Sequence, residues 1–341
     1  MLIKRKKIPV KEIILIGFLP SFLKKIIYKF KGYEIGKNVS FGFGSVIIGK
    51  KVSIGDNSSF GLISVVRGNE IELGRHVTIG SLSMIDTEKI IIGDDSRINE
   101  NVIVGGIKTP ESMLKIGKRV IIMEYSFINP TKPIHIGDDS GVGGHCLLFT
   151  HGSWLSQLDG FPVTFAPITL GERVWLPWRV FIMPGVEIGD EVVIGANSLV
   201  SKNLPSNVLA AGSPAKIIVE DYPKPISKEK RNLIFKNILK DFMGHLMHHE
   251  FNVDAKEKGN SQLIRISKKN KVSEIFITAM EEDPSFSTDD NLIIIDADSK
   301  IEIKGKMSIN LINKQRKGTS NVGEEFVKFI SRYGVRFDRL D

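Results

Sequence analysis

The feature that most constrains this chain is an aliphatic residue that recurs every six positions over long stretches of the sequence. The aliphatic positions are Leu73, Ile79 and Ile85, then Ile92, Ile98 and Val104, then Ile116, Ile122 and Ile128, then Ile136, Val142 and Leu148, then Leu170, Leu176, Ile182, Ile188, Ile194 and Val200, with an earlier turn at Ile48, Ile54 and Phe60. A second set of mostly small residues lies two positions before these: Val77, Ser83, Ser96, Val102, Val120, Ser126, Ser140, Cys146, Val174, Val180, Val186, Val192 and Ser198. Two inward positions separated by one residue describe a short β-strand, whereas a helical period of 3.6 keeps no sixth residue on a fixed face. The repeat therefore predicts triangular coils of three short strands that stack and bury an aliphatic column.

The C-terminal part of the repeat carries a more specific signature. The stretch VWLPWRVFIMPGVEIGDEVVIGANSLVSKNLPSNVLAAGSPAKII is similar to the last coils and the AGxPAK tail of galactoside, maltose and xenobiotic acetyltransferases. Over residues 33–219 the chain resembles the hexapeptide-repeat acyltransferases. This resemblance implies a left-handed parallel β-helix, a homotrimer, an acyl-CoA donor in a cleft between neighbouring subunits, and a hydroxyl or amine acceptor. The expected fold class is an all-β solenoid with an N-terminal amphipathic helical segment and a small C-terminal α/β module.

An excursion of residues 149–169, which begins with FTHGSW, interrupts the repeat between Leu148 and Leu170. Long excursions from a solenoid commonly line its binding face. The family places its catalytic histidine at the start of such an excursion, and the resemblance implies that role for His151. A neutral imidazole with a pKa of about 6.5 suits the removal of a proton from an attacking hydroxyl. His145 falls on an outward position of a regular coil, and we expect no catalytic role for it.

The resemblance also implies contacts with an acetyl-CoA donor. Ala196 matches a position whose backbone holds the pantetheine arm, and Lys202 and Lys216 match cationic positions that meet the CoA phosphates. The chain departs from the family where relatives read VWIGS or VWIGA, because it reads VWLPW. Pro177 removes a backbone donor there, and Trp178 places a large ring along the expected path of the donor. An acyl group other than acetyl is therefore an alternative.

The acceptor residues of the sugar acetyltransferases have no clear matches in this sequence. The candidates for acceptor binding are Glu124, Asn129, Trp154, Asp159 and Trp175. We expect no metal site, because His145 and His151 do not have the four-residue separation of the carbonic anhydrases that share this repeat. Cys146 lies in the small inward register and is expected to be a core residue.

Residues 1–32 form a basic N-terminal segment, in which residues 1–31 hold nine Lys or Arg and a single acidic residue, Glu12. The apolar run from Ile13 to Leu23 is shorter than the roughly 20 residues that span a bilayer. Two interpretations remain open at this stage. The segment is either a basic amphipathic helix in peripheral contact with an inner membrane, or a helix that caps the next domain.

Residues 220–341 read as a helix followed by a small α/β module. Leu233, Ile238, Phe242 and Leu246 have helical spacing, and His245, His248 and His249 are expected at a solvated helix end. The strand candidates are LIRIS, EIFITA and NLIIID, and GEEFVKFISRYG is the final helix candidate. The sequence assigns no function to this module.

Together these features predict an O-acetyltransferase with His151 as general base. The expected acceptor is a sugar hydroxyl of a surface-polysaccharide or lipopolysaccharide precursor, carried on a lipid or a nucleotide. A non-catalytic β-helix scaffold is the alternative. The single cysteine fits a reducing compartment, and so a cytoplasmic protein. The net charge of +8 is concentrated at the N-terminus without interleaved aromatic residues, which argues against nucleic-acid binding.

Overall fold

The computed structural model describes residues 9–258, 261–278, 286–295 and 305–340. The chain divides after Lys224 into two compact units. The first unit holds a short helical segment and a parallel β-helix, and the second is an α/β module. The sequence had placed this boundary at residues 219 and 220.

Three sheets of parallel strands form the walls of the β-helix, and the chain visits them in the order A, B, C in each coil. Sheet A contains Glu34–Ile35, Lys51–Ile54, Glu70–Leu73, Lys89–Ile92, Met113–Ile116, Ile134–Ile136, Ile168–Leu170 and Glu187–Ile188. Sheet B contains Ser40–Phe41, Ser59–Phe60, Thr78–Ile79, Arg97–Ile98, Ile121–Ile122, Gly141–Val142, Trp175–Leu176, Val193–Ile194, Val208–Gly212 and Ala215–Glu220, of which the last two form an antiparallel hairpin. Sheet C contains Val46–Ile48, Val65–Arg67, Met84–Asp86, Ile103–Gly105, Phe127–Asn129, Leu147–Phe149, Phe181–Ile182 and Leu199–Val200.

The core of the β-helix is the aliphatic column that the repeat predicts. Every predicted aliphatic position from Leu73 to Val200 is buried, and so is every position of the small register, including Cys146. The prediction was wrong in the first coil, where Ile47 rather than Ile48 points inward. Burial raises the pKa of the Cys146 thiol to about 11, as expected for a core residue.

The outward faces of sheets A and C differ in polarity. Sheet A presents charged side chains, among them Glu70, which pairs with Lys89 at 2.8 Å and with Lys51 at 3.6 Å. Sheet C presents an apolar column made of Ile103, Phe127, Leu147, Phe149, Phe181 and Leu199, none of which is fully buried. A solenoid with one apolar outer face is typical of a subunit that packs against another molecule.

The helical segment consists of α1 (Val10–Glu12), a π-helical turn (Ile13–Gly17) and α2 (Ser21–Phe30). Helix α2 covers the first coil and buries Lys24 and Tyr28 completely. The Tyr28 hydroxyl accepts a hydrogen bond from the backbone N–H of Ile47 at 3.1 Å. The segment is therefore part of the first unit and caps its first coil.

The predicted cationic character of this segment needs one correction. Lys24 is not a surface cation, because its side chain is enclosed and bonded to backbone carbonyls of the first coil. Lys4, Arg5, Lys6 and Lys7 lie outside the described residues. In the described part of the chain, no helix has both the length and the hydropathy needed to cross a membrane.

The second unit contains the predicted helices and strands, of which Ala279 in EIFITA and Asp296 in NLIIID lie outside the described residues. Helix α3 spans Lys228–His248 and α4 spans Asn321–Ile330. One sheet contains, in spatial order, Asn252–Lys258, Ser261–Lys268, Lys271–Thr278, Asn291–Ile295, Met307–Asn310, Gln315–Gly318 and Asp338–Arg339. Ile238, Phe242 and Leu246 are buried as their spacing suggests, whereas Leu233 is exposed.

Candidate functional site

The excursion leaves the β-helix at the corner between sheets C and A and begins as an ordered hairpin. His151–Gly152 pairs in antiparallel register with Thr164–Phe165. Thr150 anchors its base, since its Oγ1 donates to the backbone oxygen of Asn129 at 2.7 Å and its backbone oxygen accepts from Ala166 at 3.0 Å. His151 therefore sits on the fixed stem of the excursion. The regular coil extends through Thr150, one residue beyond the predicted start of the excursion.

The His151 ring is held against an aromatic neighbour. It stacks on Phe165 with 5.6 Å between ring centroids and 12° between planes. The ring is partly exposed, but its Nδ1 is enclosed and has no hydrogen-bond partner among the described residues. Leaving a buried polar atom unpaired costs about 1–3 kcal/mol, so native structures contain few such atoms. The unpaired nitrogen makes His151 a candidate for a functional role.

The tip of the excursion, residues 153–163, projects large apolar side chains into solvent. Trp154 and Leu158 are 96% and 98% exposed. Asp159 lies in a short 3₁₀ turn, Gln157–Asp159, and is also exposed. Exposed apolar residues clustered on a tip are typical of a segment that contacts another molecule. Two predicted acceptor residues, Trp154 and Asp159, are thus on the tip rather than on the stem with His151.

A second set of candidates lies on the corner between sheets B and C, which we call the BC corner. The rings of Tyr125, His145 and Trp178 follow one another on successive coils, with centroid distances of 5.1 and 5.6 Å. Glu124 precedes Tyr125, and its carboxylate accepts a hydrogen bond from Asn99 Nδ2 at 2.8 Å. His145 is therefore a member of an exposed aromatic stack.

The predicted donor-binding residues fall on two different corners of the β-helix. Trp178 and Ala196 lie on adjacent coils of the BC corner, and the backbone N–H of Asn197 donates to the Trp178 carbonyl at 3.0 Å. Lys216 is exposed on the last strand of sheet B, near the same corner. Lys202 follows the last strand of sheet C, so it lies on the corner that carries His151. Sheet C separates the two groups within one copy of the chain.

Both tryptophans of VWLPW lie over glycines of the preceding coil. A Cβ at Gly141 would come within 2.5 Å of the Trp175 ring, and one at Gly144 within 2.6 Å of the Trp178 ring. Trp178 remains half exposed, in agreement with its predicted outward position. The two glycines allow the indole rings to lie close to the backbone. Each glycine and the tryptophan that lies over it are present in the sequence, but they are 34 positions apart because the excursion intervenes.

Asn129 is the one acceptor candidate that the structure places in the interior. Its side chain is buried, and its Oδ1 accepts a hydrogen bond from the Thr131 hydroxyl at 2.8 Å. Its backbone oxygen holds Thr150 at the base of the excursion. Asn129 therefore stabilises the stem from within, and we do not retain it as an acceptor ligand. Within the described residues, no group of three or more His, Cys, Asp or Glu side chains is arranged to hold a metal ion.

Sequence reasoning did not identify Phe165 or Thr150. Phe165 is far from His151 along the chain and meets it only through the hairpin pairing. The excursion contains several aromatic residues, and nothing in the sequence distinguishes Phe165 from the others. Thr150 directly precedes His151 in the sequence, but nothing in the six-residue pattern shows that its hydroxyl bonds to the neighbouring coil.

The fold is a parallel β-helix whose repeat is interrupted by a hairpin that carries a histidine, and the relatives of the chain are acetyltransferases. No family model matches the chain. It is 38% identical over 125 residues to the putative colanic acid biosynthesis acetyltransferase WcaF of Escherichia coli, which covers 31% of this chain and 69% of the relative. It is 56% identical over 54 residues to the galactoside O-acetyltransferase of the same organism, over 16% of this chain and 27% of the relative.

A third relative is the putative lipopolysaccharide biosynthesis O-acetyl transferase WbbJ of Escherichia coli, 32% identical over 133 residues, which span 38% of this chain and 59% of the relative. The chain therefore belongs to the hexapeptide-repeat acetyltransferase family. It is an acyltransferase of that family.

Proposed function

We propose that this protein is an O-acetyltransferase that moves an acetyl group from acetyl-CoA to a hydroxyl of a sugar in a surface-polysaccharide or lipopolysaccharide precursor. The observation that carries the proposal is His151, a histidine on a rigid stem with one ring nitrogen enclosed and unpaired. The relatives that are named for colanic acid and lipopolysaccharide biosynthesis support the class of acceptor.

In the proposed reaction His151 is the general base. The imidazole takes the proton of the acceptor hydroxyl while the hydroxyl oxygen attacks the carbonyl carbon of the thioester. The tetrahedral intermediate then collapses, the carbon–sulfur bond breaks, and the CoA thiolate leaves and accepts that proton. General base catalysis by a positioned histidine typically contributes about 10²–10⁴-fold to the rate.

We also propose that the site lies between two copies in a homotrimer. His151 and Lys202 are on one corner of the β-helix, whereas Trp178, Ala196 and Lys216 are on or near the other. Residues on both corners of one copy do not face one another, because sheet C lies between them. A neighbouring copy packed against the apolar outer face of sheet C would bring its own BC corner toward His151, and the apolar tip of the excursion offers it a further contact.

In this arrangement the acceptor candidates divide by location. Trp154 and Asp159 approach the site from the tip of the excursion. Glu124 and Trp175 lie beside the aromatic stack and on sheet B. Pro177 and Trp178 shape the donor side, so a donor with an acyl group larger than acetyl belongs in any test of the activity.

The test is release of free CoA thiol by the purified protein. Acetyl-CoA and longer acyl-CoAs are each combined with a panel of nucleotide-linked and lipid-linked sugars. We expect thiol release that requires a sugar acceptor, is highest with acetyl-CoA, and is abolished in His151→Ala. The matched control is His145→Ala, which removes an exposed imidazole from the BC corner and should keep most of the activity. A wild-type protein that assembles but releases no thiol with any pair would support the scaffold alternative.

A further inference from the structure

Helix α2 is apolar on two sides, because Ile27 and Tyr28 pack against the core of the β-helix while other large apolar side chains face solvent. A surface helix normally turns its apolar side toward the core and its charged side toward solvent. In α2 the fully buried positions are Lys24 and Tyr28, whereas Phe22, Ile26 and Phe30 are exposed. Phe30 alone is 89% exposed. The helix therefore displays three large apolar side chains, spaced four residues apart, on its outer side.

Hydrogen bonds fix α2 in this orientation. The Lys24 ammonium donates to the backbone oxygens of Gly42 at 2.6 Å and Ser45 at 3.0 Å. The Ser21 hydroxyl accepts from the backbone N–H of Phe41 at 3.0 Å. A rotation that buried the three apolar side chains would break these hydrogen bonds and remove the Tyr28 ring from its contact with Phe41. The apolar side is consequently held outward.

The apolar surface continues from the helical segment onto the BC corner of the first three coils. Phe18 contacts Phe43, with 4.8 Å between ring centroids. Further exposed apolar residues extend the surface in both directions: Ile14, Leu15, Leu62, Ile63 and Leu82. We use the name N-terminal apolar face for the following residues: Ile14, Leu15, Phe18, Phe22, Ile26, Phe30, Phe43, Leu62, Ile63 and Leu82.

The residues at the same corner positions of later coils show that the exposed aliphatic side chains at this corner end after the third coil. From the fourth coil onward these positions are occupied by Asn101, Tyr125, His145 and Arg179. Ile63 takes a φ of +54° in its coil, a conformation that is rare for a β-branched residue. An isoleucine at this strained and exposed position has no apparent role in the folding of the β-helix.

Cations border the N-terminal apolar face. Lys25 and Lys29 follow one edge of α2 at helical spacing, and Lys11 and Lys31 are exposed at the two ends of the segment. In the sequence, Lys4, Arg5, Lys6 and Lys7 precede it. Large apolar side chains beside lysines match an anionic bilayer, because the rings enter the boundary of headgroups and acyl chains while each ammonium gains about 1 kcal/mol near anionic lipid.

We propose that the N-terminal apolar face docks the protein on an anionic membrane surface. A symmetric contact between two copies through this face is the competing occupant, and it would bring Lys25 and Lys29 of both copies together. The proposal does not depend on acetyl transfer, and the two are tested by different measurements.

The test is cosedimentation of the full chain with vesicles of phosphatidylcholine alone and of phosphatidylcholine mixed with phosphatidylglycerol. We expect binding to the anionic vesicles that weakens with salt, and little binding to the neutral ones. The variant Phe22→Ser, Ile26→Ser, Phe30→Ser should bind at least about tenfold more weakly, because three exposed apolar side chains are lost. The variant Lys25→Glu, Lys29→Glu should bind more weakly and lose most of its salt dependence.

The matched control is Leu233→Ser, Ile234→Ser, which removes two exposed apolar residues of α3 in the other unit. It should bind the anionic vesicles as the wild type does. Thermal unfolding of each variant checks that the β-helix is intact, and thiol release with a water-soluble sugar acceptor reports transfer separately. Wild-type protein that ignores anionic vesicles, or a triple serine variant that binds them unchanged, would overturn the proposal. A triple serine variant that loses assembly in sedimentation equilibrium, with no vesicle binding by the wild type, would assign the face to a contact between copies.

Discussion

The imidazole of His151 and the ring of Phe165 lie nearly parallel at the stem of the excursion, with centroids 5.6 Å apart. The two residues are held in this relation by the antiparallel pairing of their strands. Phe165 covers one side of the ring and limits its rotation. On the proposed mechanism Phe165 is a positioning residue, which acts on the reaction through His151.

Replacement of these two residues should separate chemistry from positioning. We expect His151→Ala to lower kcat by about 10²–10⁴-fold with little change in thermal stability, since the side chain lies outside the aliphatic column. Phe165→Ala should lower kcat about tenfold and leave the KM for acetyl-CoA nearly unchanged, because the base is present but poorly oriented. Phe165→Tyr keeps the ring and should restore the rate. Steady-state kinetics with both substrates measure these effects, and a Phe165→Ala variant with wild-type kcat would exclude the positioning role.

A site shared between copies can be tested by subunit mixing. Ala196→Trp places a bulky ring on the exposed BC corner and should block the donor side, whereas His151→Ala removes the base. Each variant alone should be inactive. Coexpression of the two should restore roughly a quarter of wild-type turnover, because each site then draws its two contributors at random from the mixed oligomer. Both variants should retain the wild-type sedimentation behaviour, and no recovery in mixed oligomers would mean that each site is built within one copy.

The glycines under the tryptophan rings should be sensitive to the smallest side chain. Gly144→Ala places a methyl group about 2.6 Å from the Trp178 ring, so the indole must move. We expect altered tryptophan fluorescence and a raised KM for acetyl-CoA, with a modest loss of stability. Gly105→Ala is the matched control, because its Cβ would meet its nearest neighbour, the Asp86 oxygen, at 3.8 Å. Equal donor affinity in the two variants would show that Trp178 does not contact the donor.

The enclosed ammonium of Lys24 predicts a pH dependence of stability. Burial lowers the pKa of Lys24 from 10.5 to about 8. Between these values the unfolded chain holds a proton that the folded chain has released, so the contribution of Lys24 to the free energy of unfolding rises with pH through this window and is lost below it. The Tm of the wild type minus that of Lys24→Met should therefore increase from about pH 7 to about pH 9.5. A difference that stays constant or falls would contradict the lowered pKa.

The helix that carries Lys24 also determines the effect of deleting residues 1–31. Residues 1–31 lie outside the repeat, so their removal takes away none of its strands. The structure shows that this deletion would uncover the first coil, where the Tyr28 ring packs on Phe41 with centroids 5.2 Å apart. The substitutions on the outer side of α2 are therefore the sound test of membrane contact, since they leave the buried side of the helix in place.

The six-residue repeat was sufficient to predict the core of the β-helix, because every side of a coil places an aliphatic residue inward, with a small residue two positions before it, and the coils repeat both positions. The first coil escaped prediction for a physical reason. Val46, Ile47 and Ile48 are all aliphatic, so alternation cannot choose among them, and the helical segment buries Val46 from outside through contact with Gly17.

The site was predicted less completely than the core. His151 is a candidate through the resemblance of the excursion, and its catalytic role stays a prediction. The alternation of inward and outward positions predicts that Asn129 faces outward, because it follows the inward Ile128. Nothing in the sequence indicates that Thr131 and Thr150 enclose its side chain. The donor residues are divided between two corners because they follow strands of different sheets. No local motif shows which sheet a given strand joins.

The stem of the excursion is fixed by hydrogen bonds, whereas its tip, residues 153–163, is free to vary in sequence. Thr150 and Ala166 close the loop by a backbone hydrogen bond, and Ile168 resumes register with Ile134 of sheet A. The entropy of closing a loop grows only slowly with its length, so residues 153–163 can be lengthened, shortened or exchanged without shifting a single strand. The tip of the excursion is thus a segment that can be exchanged as a unit. A tip transplanted between these two anchor points can alter which molecule is recognised while the coil architecture, and the histidine at its edge, stay where they are.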